Sequence, residues 1–226
     1  MSPAFGVIKK NFFGALRQRI ARRRLSLKKS FRHELYRKSI HLSSLWIPAL
    51  VYFAHPGISI TLFSFLLLAD GLIEYGNFKK WKWARRTFGA MFYKTLRSRE
   101  MKKDKFQVSG SMYVLAAAII CTMLFAKPIA AIALTIMLTS DACAALFGKA
   151  FGTRKLYKSK SLEGTTAFFI SALIIMMLFN PLYPVTYASI LAAAVATFAE
   201  MFEDKIEIDD NLSVPLFVGV ILSLLN

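Results

Sequence analysis

The stretch of this chain best equipped for chemistry begins at Ser140 and reads SDACAALFGKAFGTRKLYKSKSLEGTTAFF. Asp141 falls inside an apolar run, and a carboxylate placed there is costly and usually functional. Downstream, Gly148, Gly152 and Gly164 bracket Lys149, Arg154, Lys155, Lys158 and Lys160. Glycine lets backbone approach a phosphate, and the cations neutralise it. Ser161, followed by Glu163 and Gly164, has the composition of a helix entry, whose dipole adds to an anion site. A carboxylate beside phosphates repels them unless a divalent ion bridges the two, and Mg²⁺ suits carboxylate plus phosphate oxygens. The simpler alternative makes Asp141 a helix-packing acid bonded to Ser140 or Thr139.

A second acidic segment, EMFEDKIEIDDN, places Glu200, Glu203, Asp204 and Glu207 at helical spacing, with Asp209, Asp210 and Asn211 behind them. It is either a solvated charge run or a loop folded over a metal. In RHELYRKSIHL, Arg37 and Lys38 suit a snorkelling basic belt, whereas His41 already lies among apolar residues. His33 and His55 show no partner, and no His/Cys cluster suggests zinc or haem. Neither GxxxxGK[ST] nor GxGxxG occurs, so a P-loop or dinucleotide fold is unsupported. GKAFG matches GxxxG, but its cations put it at a membrane edge, a weak place for a packing motif.

The elements that must position these groups are set by hydropathy. With 56% hydrophobic residues, 14% aromatic and 19% charged, the composition is that of a membrane protein. It excludes a disordered chain, and two cysteines, Cys121 and Cys143, exclude a disulfide scaffold. Apolar runs at 40–54, 58–72, 111–126, 129–147, 165–179, 185–202 and 212–225 predict an all-α integral membrane protein with about seven spans. Continuous runs favour helices over barrel strands, which alternate. Several fall short of the roughly 20 residues a span requires. The net charge of +17 is mainly topological, because basic residues are abundant before Ile40, between Glu74 and Gly110 and between Gly148 and Glu163, and sparse elsewhere. The positive-inside rule then puts the N-terminus and the candidate site on the cytoplasmic side. Residues 1–38 form a basic arm, either a helix lying in the headgroup plane, for which Phe5, Ile8, Phe12, Leu16 and Ile20 are spaced, or a flexible basic tail attracted to anionic lipid, and residues 39–226 the membrane domain. Nothing in this pattern calls for nucleic acid.

Three strings, RKSIHL at Arg37, SDACAALFGKAFGTRK leading into KSLEGT, and DDNLSVPL at Asp209, occur in the order found in one family. From about Arg37 to the C-terminus the chain resembles the CTP-dependent polyprenol kinases, the group of dolichol kinase, phytol kinase and yeast-type diacylglycerol kinase. The resemblance implies transfer of the terminal phosphoryl group of CTP to a lipid alcohol. It implies nucleotide and metal roles for Asp141, Gly148, Gly152, Lys160, Ser161, Glu163 and Gly164, with Arg37, Lys38 and His41 from the first string and Asp210, Asn211 and Pro215 from the last. Ser140 departs from the glycine many members carry there. On this reading Asp141, with Glu163 or an acid such as Glu200 or Asp210, holds Mg²⁺. Lys149, Arg154, Lys155 and Lys160 grip the phosphates, and Asp141 or His41 takes the hydroxyl proton. Phosphatidate cytidylyltransferases carry a related string and are the alternative, although Tyr157, Lys158 and Ser159 precede Lys160 where they have Ser-Pro. A transporter would instead need acids at the bilayer midplane.

Overall fold

The computed structural model describes residues 31–84, 86–87, 108–158, 160–206 and 208–225. Most of the basic arm and of the charged segment before Gly110, and Glu207, lie outside the described residues.

Residues 31–43 are helical (α1). The apolar run that follows does not continue as one span. Pro48 has no N–H to give the Ser44 carbonyl and its ring crowds that position. The chain tightens into turns in which Ser44 N donates to His41 O at 3.1 Å and Ile47 N to Ser44 O at 2.9 Å. A new helix, α2 (Trp46–Phe53), begins there. Next comes α3 (Pro56–Phe78), with proline in its first turn and the His55 ring accepting from Gly57 N, so His55 does have a partner. α4 (Gly110–Leu124) and α5 (Lys127–Phe151) follow. Strands β1 (Lys155–Tyr157) and β2 (Lys160–Ser161) pair antiparallel. α6 (Leu162–Leu178) starts at Ser161, whose hydroxyl accepts from Gly164 N, a serine N-cap as the sequence implied. The remainder is α7 (Tyr187–Met201), a short α8 (Glu203–Ile206) and α9 (Asp210–Leu224).

α5 is the axis of the bundle. It packs against α6, α9, α2 and α4, while α7 closes the far side against α9 and α6. Of its apolar stretch 72% is buried, against 11% for α3. α3 instead leans on α4 and turns Ile58, Leu62, Phe65, Leu68 and Leu72 outward. Their spacing is one helical stripe, suited to lipid and untenable in water. Close packing is bought with small residues: Ala130, Ala133, Ala188, Ala192, Ala193 and Ala196 are buried, which lets helix backbones approach where hydrocarbon supplies no hydrophobic drive between them. Gly219 makes room for the Phe125 ring, which a β-carbon there would meet at 2.1 Å.

The helical membrane architecture agrees with the expectation, but the count of seven spans does not. Among the described residues only α3 and α5, of 23 and 25 residues, are long and apolar enough to cross a bilayer, reaching about 35 and 38 Å at 1.5 Å per residue. The 15-residue helices α4, α7 and α9 reach about 22 Å, and α2, at 8 residues, is far shorter. Pro48 breaks the first run, and α4, α6, α7 and α9 are about as short as the apolar runs that announced them.

Candidate functional site

At one end of the bundle a cavity of about 450 Å³ opens between α1, the C-terminal turns of α5 and α7, the hairpin and the starts of α6 and α9. Its walls carry two sets of charge. Glu34, Arg37, Lys149, Lys158 and Lys160 are on them, as are Asp141, Glu200, Glu203 and Asp210.

Behind the first wall, the Lys38 ammonium, 1% exposed, donates to Asp141 Oδ2, and His41 Nε2 stands 3.4 Å from the same oxygen. Lys38 and His41 reach Asp141 together because they are three apart on one helix face. Asp141 is therefore not the Ser140-bonded packing acid; Ser140 Oγ is buried without a hydrogen-bond partner. Across the cavity, Lys160 from β2 donates to Glu200 of α7 and lies 3.5 Å from Glu203. Burial disfavours its charge, yet Glu200, Asp210 and Glu203 outweigh that and push the ammonium's pKa above its ordinary value. Asp210, in the first turn of α9, is 3% exposed, and neither carboxylate oxygen has a hydrogen-bond partner. Asp209, the N-cap of α9, accepts from Asn211 N at 3.0 Å. One oxygen each from Glu203, Asp209 and Asp210 lie within 4.8 Å of one another.

The glycines divide by role. Gly148 and Gly164 face each other where α5 meets α6: a β-carbon on Gly164 would stand 2.8 Å from Ala144 O and 3.2 Å from Gly148 Cα. The GKAFG string thus does serve helix packing, and the two glycines also line the cavity. Gly152 caps α5, its N–H bonded to Gly148 O at 3.0 Å. Lys158, at the hairpin turn, has φ 46°, a left-handed conformation disfavoured for a side chain larger than glycine, and it stands on the cavity wall.

Other charged residues, Arg154, Lys155 and Glu163 of the sequence expectation among them, are elsewhere. Arg154 and Lys155 are exposed on the hairpin and absent from the cavity walls. Glu163 turns to the loop, accepting from Thr153 N at 2.9 Å, Thr153 Oγ1 at 2.6 Å and Arg154 N at 3.3 Å. Those bonds, with Thr153's first among them, hold its carboxyl down at about 2. It secures the turn after α5 and is not brought to Asp141. Asp70 and Glu74 of α3 serve α4, Asp70 accepting from Ser111 Oγ at 2.7 Å and Glu74 from Ser109 N at 3.3 Å.

Glu34 joins the site although its sequence context alone did not mark it. This buried carboxylate accepts from Arg37 Nε at 3.2 Å and holds Lys149 Nζ at 3.2 Å, tying α1 to the end of α5. Burial opposes its ionisation, but Arg37, Lys149 and Lys38 prevail and lower its pKa. The i, i+3 and i, i+4 spacing to Arg37 and Lys38 was the available signal; Lys149, more than a hundred residues away, was not visible from it.

No family profile matches the chain, and no solved structure matches it. An uncharacterized protein of Rickettsia prowazekii is 32% identical over 82% of this chain and 91% of its own length. One from Methanocaldococcus jannaschii is 31% identical over 54% of this chain and 62% of its own. A probable chloroplastic phytol kinase of Triticum aestivum is 29% identical over 57% of this chain and 47% of its own length. The chain belongs to one family with the Rickettsia prowazekii protein and bears a distant, partial likeness to the plant phytol kinase.

Proposed function

We propose that the protein is a lipid kinase that moves the terminal phosphoryl group of CTP to the hydroxyl of a membrane lipid alcohol, a polyprenol, a phytol-like prenol or a diacylglycerol, at the cytoplasmic face. The observation that carries this reading is the placement of Arg37, Lys149, Lys158 and Lys160 around one cavity with buried carboxylates, at the end of an apolar bundle. Phosphoryl transfer requires positioned reactants and neutralised oxygens rather than covalent chemistry, and the cations of this wall support the second of these. The likeness to a phytol kinase supports the lipid alcohol, and the choice of CTP follows from the resemblance in the three strings.

Arg37, Lys149 and Lys158 grip the phosphates. Lys160, held by Glu200, faces the transferring group. The lipid hydroxyl enters from the apolar side of the bundle and gives its proton to the Asp141–His41 pair, whose remaining charge Lys38 balances. Gly148 and Gly164 keep the wall free of side chains where the phosphates approach. Mg²⁺, held by carboxylates of the cavity, supplies charge neutralisation on the phosphate oxygens when bound.

Detergent-purified protein incubated with CTP, Mg²⁺ and a prenol or diacylglycerol is expected to yield CDP and the lipid monophosphate. Release of pyrophosphate with phosphatidate as acceptor would replace this reading with a cytidylyltransferase. Absence of both products with every lipid supplied would remove the enzyme reading. For orientation, a cysteine at Tyr157 is expected to label from the cytoplasmic side and one at Asn180 from the opposite side.

A further inference from the structure

The two halves of the cavity differ in how their buried carboxylate oxygens are met. Asp141 is answered by Lys38 and His41. On the opposite wall stand Glu200, Glu203 and Asp210, with Asp209 next to them at the N-cap of α9, and Lys160 is bonded to Glu200 and lies 3.5 Å from Glu203. Glu200 and Asp210 are each 3% exposed, and Glu200 Oε2 and both oxygens of Asp210 accept no hydrogen bond. A buried carboxylate oxygen without a donor is expensive. Either a cation answers these oxygens or protons do.

We infer that Glu203, Asp209 and Asp210 form a divalent-cation site, with Glu200 beside it. Their oxygens lie within 4.8 Å of one another. Oxygens at the roughly 2.0–2.6 Å bond lengths of Mg²⁺ or Ca²⁺ stand about 3 to 5 Å apart around one ion, so small side-chain adjustments suffice. The positive end of the α9 dipole opposes a cation here, but Asp209 Oδ1 already caps that terminus through Asn211 N and Nδ2. This ligand set replaces Asp141 and Glu163 of the sequence expectation with Glu203 and Asp209, and keeps Asp210 as its centre and Glu200 at its edge. The cation site stands on the carboxylates; that the ion is Mg²⁺ in service of a nucleotide rests on the kinase reading.

The test uses the full chain in detergent without nucleotide, with Mn²⁺ as the probe, followed by its electron paramagnetic signal and by calorimetry. One ion per chain is expected, with affinity at least tenfold weaker in Asp210→Asn and unchanged in Glu163→Gln. Mg²⁺ should compete with Mn²⁺, and it should raise the melting temperature of the wild type, but not that of Asp210→Asn, beyond what NaCl of matched ionic strength achieves. Should Asp210→Asn fail to fold, Glu203→Gln is read in its place. No Mn²⁺ binding by folded wild type, or binding indifferent to both substitutions, would overturn the site and leave protonated acids in its place. Mn²⁺ binding lost in Asp210→Asn, together with no lipid phosphorylation by the wild type, would preserve the site and overturn the kinase.

Discussion

Lys38 and Asp141, 103 positions apart, form a buried ion pair in which Asp141 Oδ2 also faces His41. The pair ties α1 to the centre of the bundle axis. A buried pair contributes little net stability when intact, yet losing one partner costs about 3–5 kcal/mol because the other is left charged in low dielectric.

Asp141→Asn is therefore expected to lower the melting temperature, contrary to what the removal of a lone desolvated carboxylate would do, because it strands Lys38. Lys38→Met should do the same. The double variant Lys38→Met/Asp141→Asn should recover most of the lost stability while staying inactive. Thermal unfolding of all four proteins in one detergent checks this; additive losses in the double variant would show that the two residues do not interact.

Glu34→Gln is expected to leave the fold intact and loosen Arg37 and Lys149. Charge-assisted hydrogen bonds are worth about 1.5–3 kcal/mol, but Lys149 is partly exposed and solvent screening reduces that. A rise in KM for the nucleotide of about 3- to 30-fold, with kcat less affected and with partial recovery in Glu34→Asp, is the expected pattern in steady-state kinetics. A fall in kcat alone would place Glu34 in another role.

Glu163 has a depressed carboxyl, so its contribution is present above the ordinary carboxylate value of 4.5 and is lost as pH falls towards about 2. Between those limits protonation releases Thr153 and Arg154. Amide exchange at Thr153 and Arg154 should therefore exceed its intrinsic pH trend progressively below pH 4.5 in the wild type, and should already be fast at pH 6 in Glu163→Gln. Matching exchange in the two proteins at pH 6 would contradict the capping role.

Gly164→Ala should destabilise the α5–α6 contact by about 1–3 kcal/mol, since its β-carbon meets backbone at 2.8 Å. Gly71→Ala is the comparison, because there the new atom meets only Met112 Cε at 3.3 Å, the end of a flexible side chain. Denaturation of the two variants in one detergent should give a clearly larger loss for Gly164→Ala.

Composition and order determined the helical membrane class and the strings that would carry chemistry, because burial in hydrocarbon is a property of residue type summed along a run. Local spacing likewise announced Ser161 as a helix start and set Lys38 and His41 on one face. Span length was decided elsewhere: Pro48 splits an apolar run whose hydropathy is unbroken, since a missing N–H is a matter of hydrogen bonding rather than polarity. Which acid meets which cation was decided only by the fold. Asp141 and Glu163 are both near the same lysines in sequence, yet one turns inward to Lys38 and the other outward to Thr153. Charges in a low-dielectric bundle pair by distance in space, and β2, α7 and α9 bring Lys160 to Glu200 and Asp210 although the lysine lies 40 positions from the nearer of those acids.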